Sequence, residues 1–219
     1  MIVIFEKDYL RELYENCSCK DKKHRYQPNV TKGYKRGIDY LKWASRKEDL
    51  FTINSLHFES LHGDKKGLFS IRANLDYRIE FTIKETIEEQ ILSVTLLNSQ
   101  TITIDMITIP GIDPAMIANN LTPFEPTHPG ELLNDELECR GITQAKFAKQ
   151  IDVSPSLLNE IIKGKRGINT EMALILEAAL GIDAGLWLNL QASYNMQVAK
   201  ANEPFMARLA KIRNIADML

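Results

Sequence analysis

The chain has 219 residues, 44% hydrophobic and 26% charged, proportions that exclude a collagen-like or wholly disordered protein. At roughly 100–200 residues per domain, this length admits one or two domains. The 27 basic and 29 acidic residues leave a net charge of −2, which names no partner by itself.

The opening Ile2-Val3-Ile4-Phe5 is β-branched and aromatic and predicts a strand, followed by a helix near Asp8–Glu15. No basic segment followed by an apolar one stands at the start, so no secretion signal is expected. Cys17, Cys19 and Cys139 are an odd count at unhelpful spacing, which favours a reducing compartment. No stretch approaches the ~18 consecutive apolar residues of a membrane span. A cytoplasmic protein without a membrane partner is expected.

A polar stretch, 16–29, precedes a basic amphipathic helix near 30–45, whose Tyr34, Ile38, Leu41 and Ala44 recur at helical spacing. Between Lys20 and Lys47 ten basic residues face only Asp21 and Asp39. Such a run reads either as a solvated helix face or as a surface for a polyanion or an acidic partner. Beyond Leu50 the period changes to two, with strand-like runs at 68–74, 77–83 and 90–96 punctuated by turn signals, Gly63-Asp64 before the first and Asn74-Leu75-Asp76 after it. One sheet with a pair of helices fits residues 1–105.

Residues 105–130 carry five of the eight prolines. Proline lacks the backbone donor and restricts the residue before it, so 106–127 reads as a linker without long helices. From 128 to 219 the pattern is almost wholly helical. Pro129-Gly130-Glu131-Leu132-Leu133 opens a helix that Gly141 ends. Thr143 is an N-cap for 144–151, Ser154-Pro155 is a cap followed by an N1 proline, and Asn169-Thr170 cap the helix that stops at Gly181.

Two short helices joined by a tight turn make a helix-turn-helix when a small residue sits at the crossing and the turn accepts a left-handed residue. Ala148 and Asp152 hold those places. Val153, Leu158 and Ile161 are then expected to be buried, and Ser154, Ser156, Asn159 and Lys163 to face outward. Thr143 and Gln144 stand at the start of the preceding helix, and Lys165 and Arg166 follow the second one. Together these eight polar residues form the candidate DNA-binding set, reading base edges and neutralising phosphates. A helical bundle without a ligand is the plainer alternative.

His128–Leu133, Gly141-Ile142-Thr143-Gln144, 153–159, Gly164–Ile168 and Trp187–Gln191 resemble, in order and spacing, the HigA/VapI antitoxins of the lambda-repressor-like helix-turn-helix family. The resemblance implies an autorepressor that dimerises and reads a two-fold operator. The segment 184–200 is equally readable as a dimer face or as ordinary core. Likewise, Leu61–Asn74 with Tyr77-Arg78-Ile79-Glu80-Phe81 resembles the HigB-type toxins of the RelE superfamily. That resemblance covers roughly 1–97 and implies a small α/β ribonuclease acting on messenger RNA at the ribosome. The fold class expected is α+β: a RelE-like α/β domain with an antiparallel sheet, then an all-α helix-turn-helix domain.

Cleavage of RNA by its own 2′-hydroxyl needs a base, a cation on the phosphorane and an acid for the leaving oxygen. Arg72 and Arg78 on neighbouring strands are candidates to hold the phosphate as bidentate donors, with Lys65 and Lys66 on the preceding turn. His57 and His62 are candidates for proton exchange, although lone histidines are more often structural. No cofactor and no metal are expected. One departure counts against activity: 94–105 lacks the aromatic or histidine tail with which HigB-type chains usually finish. Three readings follow. One is a toxin–antitoxin fusion whose dependable activity is operator binding. Another is an mRNA endonuclease held in check by its tethered neighbour, and the last is a plain regulator with a scaffold domain.

Overall fold

The computed structural model describes residues 1–85, 90–97, 101–104 and 113–216. The sequence readings of residues 86–89, 98–100 and 105–112 lie outside the described residues. Among the described residues the first part is a six-stranded sheet of β1 (Ile2–Phe5), β2 (Glu59–Ser60), β3 (Leu68–Arg72), β4 (Arg78–Glu85), β5 (Gln90–Leu97) and β6 (Thr101–Ile104), in the order β1-β5-β6-β4-β3-β2, with β4 also pairing β5. The pairs β2–β3, β3–β4 and β4–β5 are antiparallel, as expected, and the sequence did not disclose two departures. The first strand joins β5 in parallel, and β6 lies parallel to the start of β4.

Alternation along β3 and β4 sorts the side chains. Ile71 faces Ile79 and Phe69 faces Phe81 on one face, while Ser70 faces Glu80 and Arg72 faces Arg78 on the other. Helices α1 (Asp8–Asn16) and α2 (Pro28–Trp43) supply Leu10, Leu13, Tyr14, Tyr34, Ile38 and Leu41 to the core. At ~25 cal/mol per Å2, burying such a side chain stabilises the fold by about 1.5–3 kcal/mol. Spacing of four residues puts Gly33 and Gly37 on one face of α2, where they let the helix lie directly on the Ala73 carbonyl and the Ile71 and Ile79 side chains. A short helix, α3 (Lys47–Thr52), and a 3-10 turn (Asn54–Leu56) lead to His57.

Residues 113–128 contain only two 3-10 turns among the described residues, in keeping with their prolines, but they are not a free linker. Asn119 accepts the Val3 amide at 2.8 Å and donates to the Met1 carbonyl, and Ile117 bridges Ile4. The Phe124 amide donates to the Tyr14 carbonyl at 2.9 Å. The Thr127 hydroxyl donates to Asp39, which also accepts from the Tyr14 hydroxyl, both buried. This segment therefore closes the first domain while leading to the second.

The second part is α4 (Pro129–Cys139), α5 (Gln144–Gln150), α6 (Pro155–Ile162), α7 (Thr170–Leu180), α8 (Ala184–Ala201) and α9 (Glu203–Ala216). Thr143, Ser154 and Asn169 each cap as expected, accepting the amides of Lys146, Leu157 and Met172. His128 and Glu131 form a capping box at α4. Trp187, Leu190, Leu176, Leu158, Ile161 and Ala148 fill the core. No helix among the described residues is long and apolar enough to cross a membrane.

Candidate functional site

The first polar surface is built by α5 and α6. Asp152 takes the left-handed conformation, φ 54°, that the turn between them requires. Phe147, Ala148, Leu158 and Ile161 are buried, which fixes the rotation of α6 and turns Ser154 and Ser156 into solvent. Asn159 Nδ2 donates to Gln144 Oε1 at 3.4 Å, linking the polar edges of the two helices. Val153 is half-buried rather than buried, because it lies on the turn before the cap and packs on the core from one side only. Thr143, Lys163 and Lys165 are exposed. Arg166 is exposed too, but its Nε holds Glu160 at 2.9 Å, so a phosphate would have to compete with that carboxylate.

The second polar surface is the outer face of β3 and β4. Register places Arg72 directly opposite Arg78. Arg78 is engaged through two of its nitrogens: Nε donates to Ser70 Oγ at 2.9 Å, and Nη2 donates to the His57 carbonyl at 2.8 Å and pairs with Glu59 at 2.7 Å. Lys65 pairs with the buried Glu80 at 2.6 Å. Lys66 and His62 lie exposed on the turn between β2 and β3. The structure therefore groups Arg72, Arg78 and His57, gives Lys65 to Glu80, and does not bring Lys66 or His62 to the arginines.

His57 has an unusual seat. Its φ is 45°, in the left-handed region, and its Nε2 lies 2.8 Å from Arg72 Nη1. A guanidinium only donates, so Nε2 must present its lone pair and the imidazole is neutral. Burial first, then the charges of Arg72 and Arg78, hold the His57 pKa below the usual histidine value. As placed, His57 spends its free lone pair on the arginine that the phosphate would need.

The two parts meet over this surface. A cleft of about 550 Å3 is lined by Arg36, His57, Arg72 and Leu75 from the first domain and by Asp135, Glu138 and Cys139 of α4. Cys139 Sγ is 3.7 Å from His57 Nε2. Arg36 reaches Asp135 at 3.4 Å and Glu131 at 3.8 Å, and Glu136 accepts the Ser55 amide at 2.7 Å. Two carboxylates and the negative end of a helix dipole thus stand where an anion would approach Arg72. Among the described residues, no cluster of three or more His, Cys, Asp or Glu could hold a metal ion.

Sequence reasoning missed Glu59, Ser70 and Glu80. Their signal was present, since alternation puts them on the face of Arg72 and Arg78. It also missed Asp135, Glu136, Glu138 and Cys139, for which no local signal exists.

The basic run divides accordingly. Lys35 is buried over the Phe124 ring, Lys42 is buried and donates to the Tyr14 hydroxyl, Lys32 pairs with Glu125, and Arg36 pairs across the junction. These four cations of α2 are thus held within the chain, Lys32 and Arg36 by carboxylates of residues 125–135 and Lys35 and Lys42 by an aromatic ring and uncharged oxygens.

Burial, partly countered by Arg36, raises the Asp135 pKa to about 6. A carboxyl whose folded pKa exceeds its unfolded value of about 4 contributes stability at low pH that is lost as pH climbs through about 6. Relative to Asp135→Asn, the wild-type chain is expected to lose up to about 3 kcal/mol between pH 4 and 7 and to stay level above. Urea unfolding of both proteins across this range reads the difference, and a pH-independent gap refutes the burial.

Comparison with known proteins matches residues 3–94 to the family model of the RelE-like toxin of type II toxin-antitoxin system HigB, and residues 136–187 to a helix-turn-helix model. Toxin HigB-1 of Vibrio cholerae is 34% identical over 82 residues, 37% of this chain and 82% of that protein. Virulence-associated protein I of Dichelobacter nodosus is 42% identical over 77 residues, 35% of this chain and 71% of that protein. Among solved structures, the Pseudomonas aeruginosa antitoxin HigA with higBA promoter is 36% identical, covering 38% of this chain and 91% of that one, with a TM-score of 0.36.

Proposed function

We propose that this chain, which belongs through its first part to the HigB toxins and through its second to the HigA and virulence-associated-protein-I helix-turn-helix antitoxins, is an operator-binding autorepressor with a masked toxin domain. The observation that carries the operator reading is the polar set at the start of α6, the exposed Ser154 cap and Ser156 with the half-buried Asn159 beside Gln144, standing over the buried Leu158 and Ile161. Thr143, Gln144, Lys163, Lys165 and Arg166 flank it and would serve phosphates, Arg166 after releasing Glu160. The DNA-binding unit is taken as a homodimer through residues 128–219, because Leu174, Met196, Val198, Phe205 and Ile212 leave apolar surface exposed. A two-fold dimer reads half-sites about one helical turn apart.

The masking reading rests on the cleft. Arg72 and His57 are catalytic candidates for RNA cleavage, with Arg78 positioned by Glu59 rather than free for phosphate. Lys65, Lys66 and His62 would touch RNA only outside that group. The carboxylates of α4 repel a phosphate at Arg72, and covalent linkage keeps them at high effective concentration. Messenger RNA on the ribosome is accordingly a partner only when the halves separate. A plain endonuclease fits less well, because His57 has no free lone pair in this arrangement.

A gel shift of the full chain on DNA upstream of its own reading frame tests the operator reading. Ser156→Ala and Asn159→Ala are each expected to lose about 1–3 kcal/mol, and to relax preference at the base they contact. Unchanged affinity in both variants overturns it.

A further inference from the structure

Helix α8 buries one polar side chain beside its apolar ones. Gln191 is 7% exposed and follows Leu190 of the core. Its Oε1 accepts the Ile168 amide at 2.7 Å, a buried bond that spans 23 residues of sequence, and its Nε2 donates to Asn195 Oδ1 at 2.9 Å. The second bond orients the first, because with Nε2 held by the residue one turn on, the oxygen is the end that faces Ile168. A Cβ on Gly167 would lie 3.1 Å from Gln191 Cδ and Oε1, so the side-chain amide lies close against the Gly167 backbone too.

The loop braced in this way, residues 163–168, carries three exposed cations, Lys163, Lys165 and Arg166. Its start is tied to α6, where the Glu160 carbonyl takes the amides of Lys165 and Arg166 at 2.8 and 3.2 Å. Its end is tied by the buried Ile168 side chain and by Gln191. An unbranched apolar residue such as methionine fills a similar space, so packing alone does not call for an amide at 191. What the amide supplies is an acceptor for the Ile168 N–H, which would otherwise be buried without one and would draw the loop toward water. The base-reading end of α6 has separate supports, the Ser154 cap and the buried Leu158 and Ile161.

We infer that Gln191 is a positioning residue for DNA binding: through the Ile168 amide it holds the loop that presents Lys165 and Arg166 to backbone phosphates. This rests on the operator reading and deepens it, separating the groups that grip phosphate from those that read bases.

Gel shifts of the full chain on the duplex upstream of its own reading frame and on a scrambled duplex, each across a salt series, test the inference. Gln191→Met is expected to weaken binding to both duplexes about tenfold and to flatten the slope of log affinity against log salt by about 1–2, at ~0.9 per phosphate contact. The ratio between the two duplexes should stay as in the wild type. The loss should vanish in a Lys165→Gln/Arg166→Gln background, where the side chains it acts through are gone, and should add to that of Asn159→Ala. Asn195→Ala, at an exposed position, frees the Gln191 amide to turn and should lower affinity about threefold. It decides the matter if Gln191→Met fails to fold. Without DNA, hydrogen exchange at the Ile168 amide should quicken about tenfold or more in Gln191→Met. Unchanged affinity and slope, a loss on the upstream duplex alone, or full additivity with Lys165→Gln/Arg166→Gln overturns the inference and leaves the operator reading standing. Binding of neither duplex by the wild type overturns both.

Discussion

Glu136→Ala is expected to cost about 3–5 kcal/mol of unfolding free energy, because it strips the partner from a buried ion pair. Glu136 is fully buried. Its carboxylate takes the Ser55 amide at 2.7 Å and both Nε and Nη2 of Arg140, at 3.1 and 3.0 Å. Arg140 in turn donates to the Leu180 carbonyl at 2.8 Å and to the Thr52 carbonyl at 3.5 Å. Glu136 thus ties α4 to the loop before His57 directly, and to the end of α7 through Arg140. Without it, a guanidinium only one-fifth exposed has lost its counter-charge, and a first-domain amide has lost its acceptor. Glu136→Gln, which keeps an acceptor for Ser55 but not the charge, should lose less. Urea unfolding gives the magnitude, and hydrogen exchange at the Ser55 amide shows whether the junction opened. A loss under about 1 kcal/mol, or unchanged Ser55 exchange, refutes the role of this carboxylate in docking. On the masking reading, the same variant should also raise any RNA cleavage by the first domain.

That junction illustrates which features a single sequence discloses. Caps are local: Thr143, Ser154 and Asn169 announce helices because each bonds the amide three residues on. Alternation is local as well, so Ser70, Arg72, Arg78 and Glu80 were assignable to one face before any pairing was known. The left-handed Asp152 follows from the short turn between two packed helices. By contrast, Ser55 and Glu136 lie 81 residues apart and Arg36 and Asp135 lie 99 apart, and no periodicity relates them. The meaning of the basic run was undecidable for the same reason, since whether a lysine is free depends on which acids the fold carries to it. The parallel pairing of β1 with β5 is equally non-local. Helix α9 is a different case: Pro204 at its first turn is a readable start signal that the sequence analysis did not use.

Gly130→Val is expected to destabilise the second domain by about 4 kcal/mol or more, and Gly130→Ala by about 2 kcal/mol. Propensity alone predicts the opposite sign, since alanine stabilises a helix over glycine by about 1 kcal/mol. Space decides. A Cβ at Gly130 would lie 2.1 Å from the Ile161 carbonyl oxygen and 2.9 Å from its carbon, so the obstacle is backbone and cannot rotate away. To accept a methyl group, α4 and α6 must part by roughly 1 Å, and dispersion contacts along the packed pair weaken with them. The carbonyl concerned belongs to the last turn of α6, so the displacement tilts Ser156 and Asn159 as well. Operator affinity should therefore fall in Gly130→Ala under conditions where the protein is still fully folded. If Gly130→Ala instead melts with the wild type and shifts the same duplex at the same concentration, then α4 and α6 are not in the close contact on which the orientation of the DNA-reading face depends.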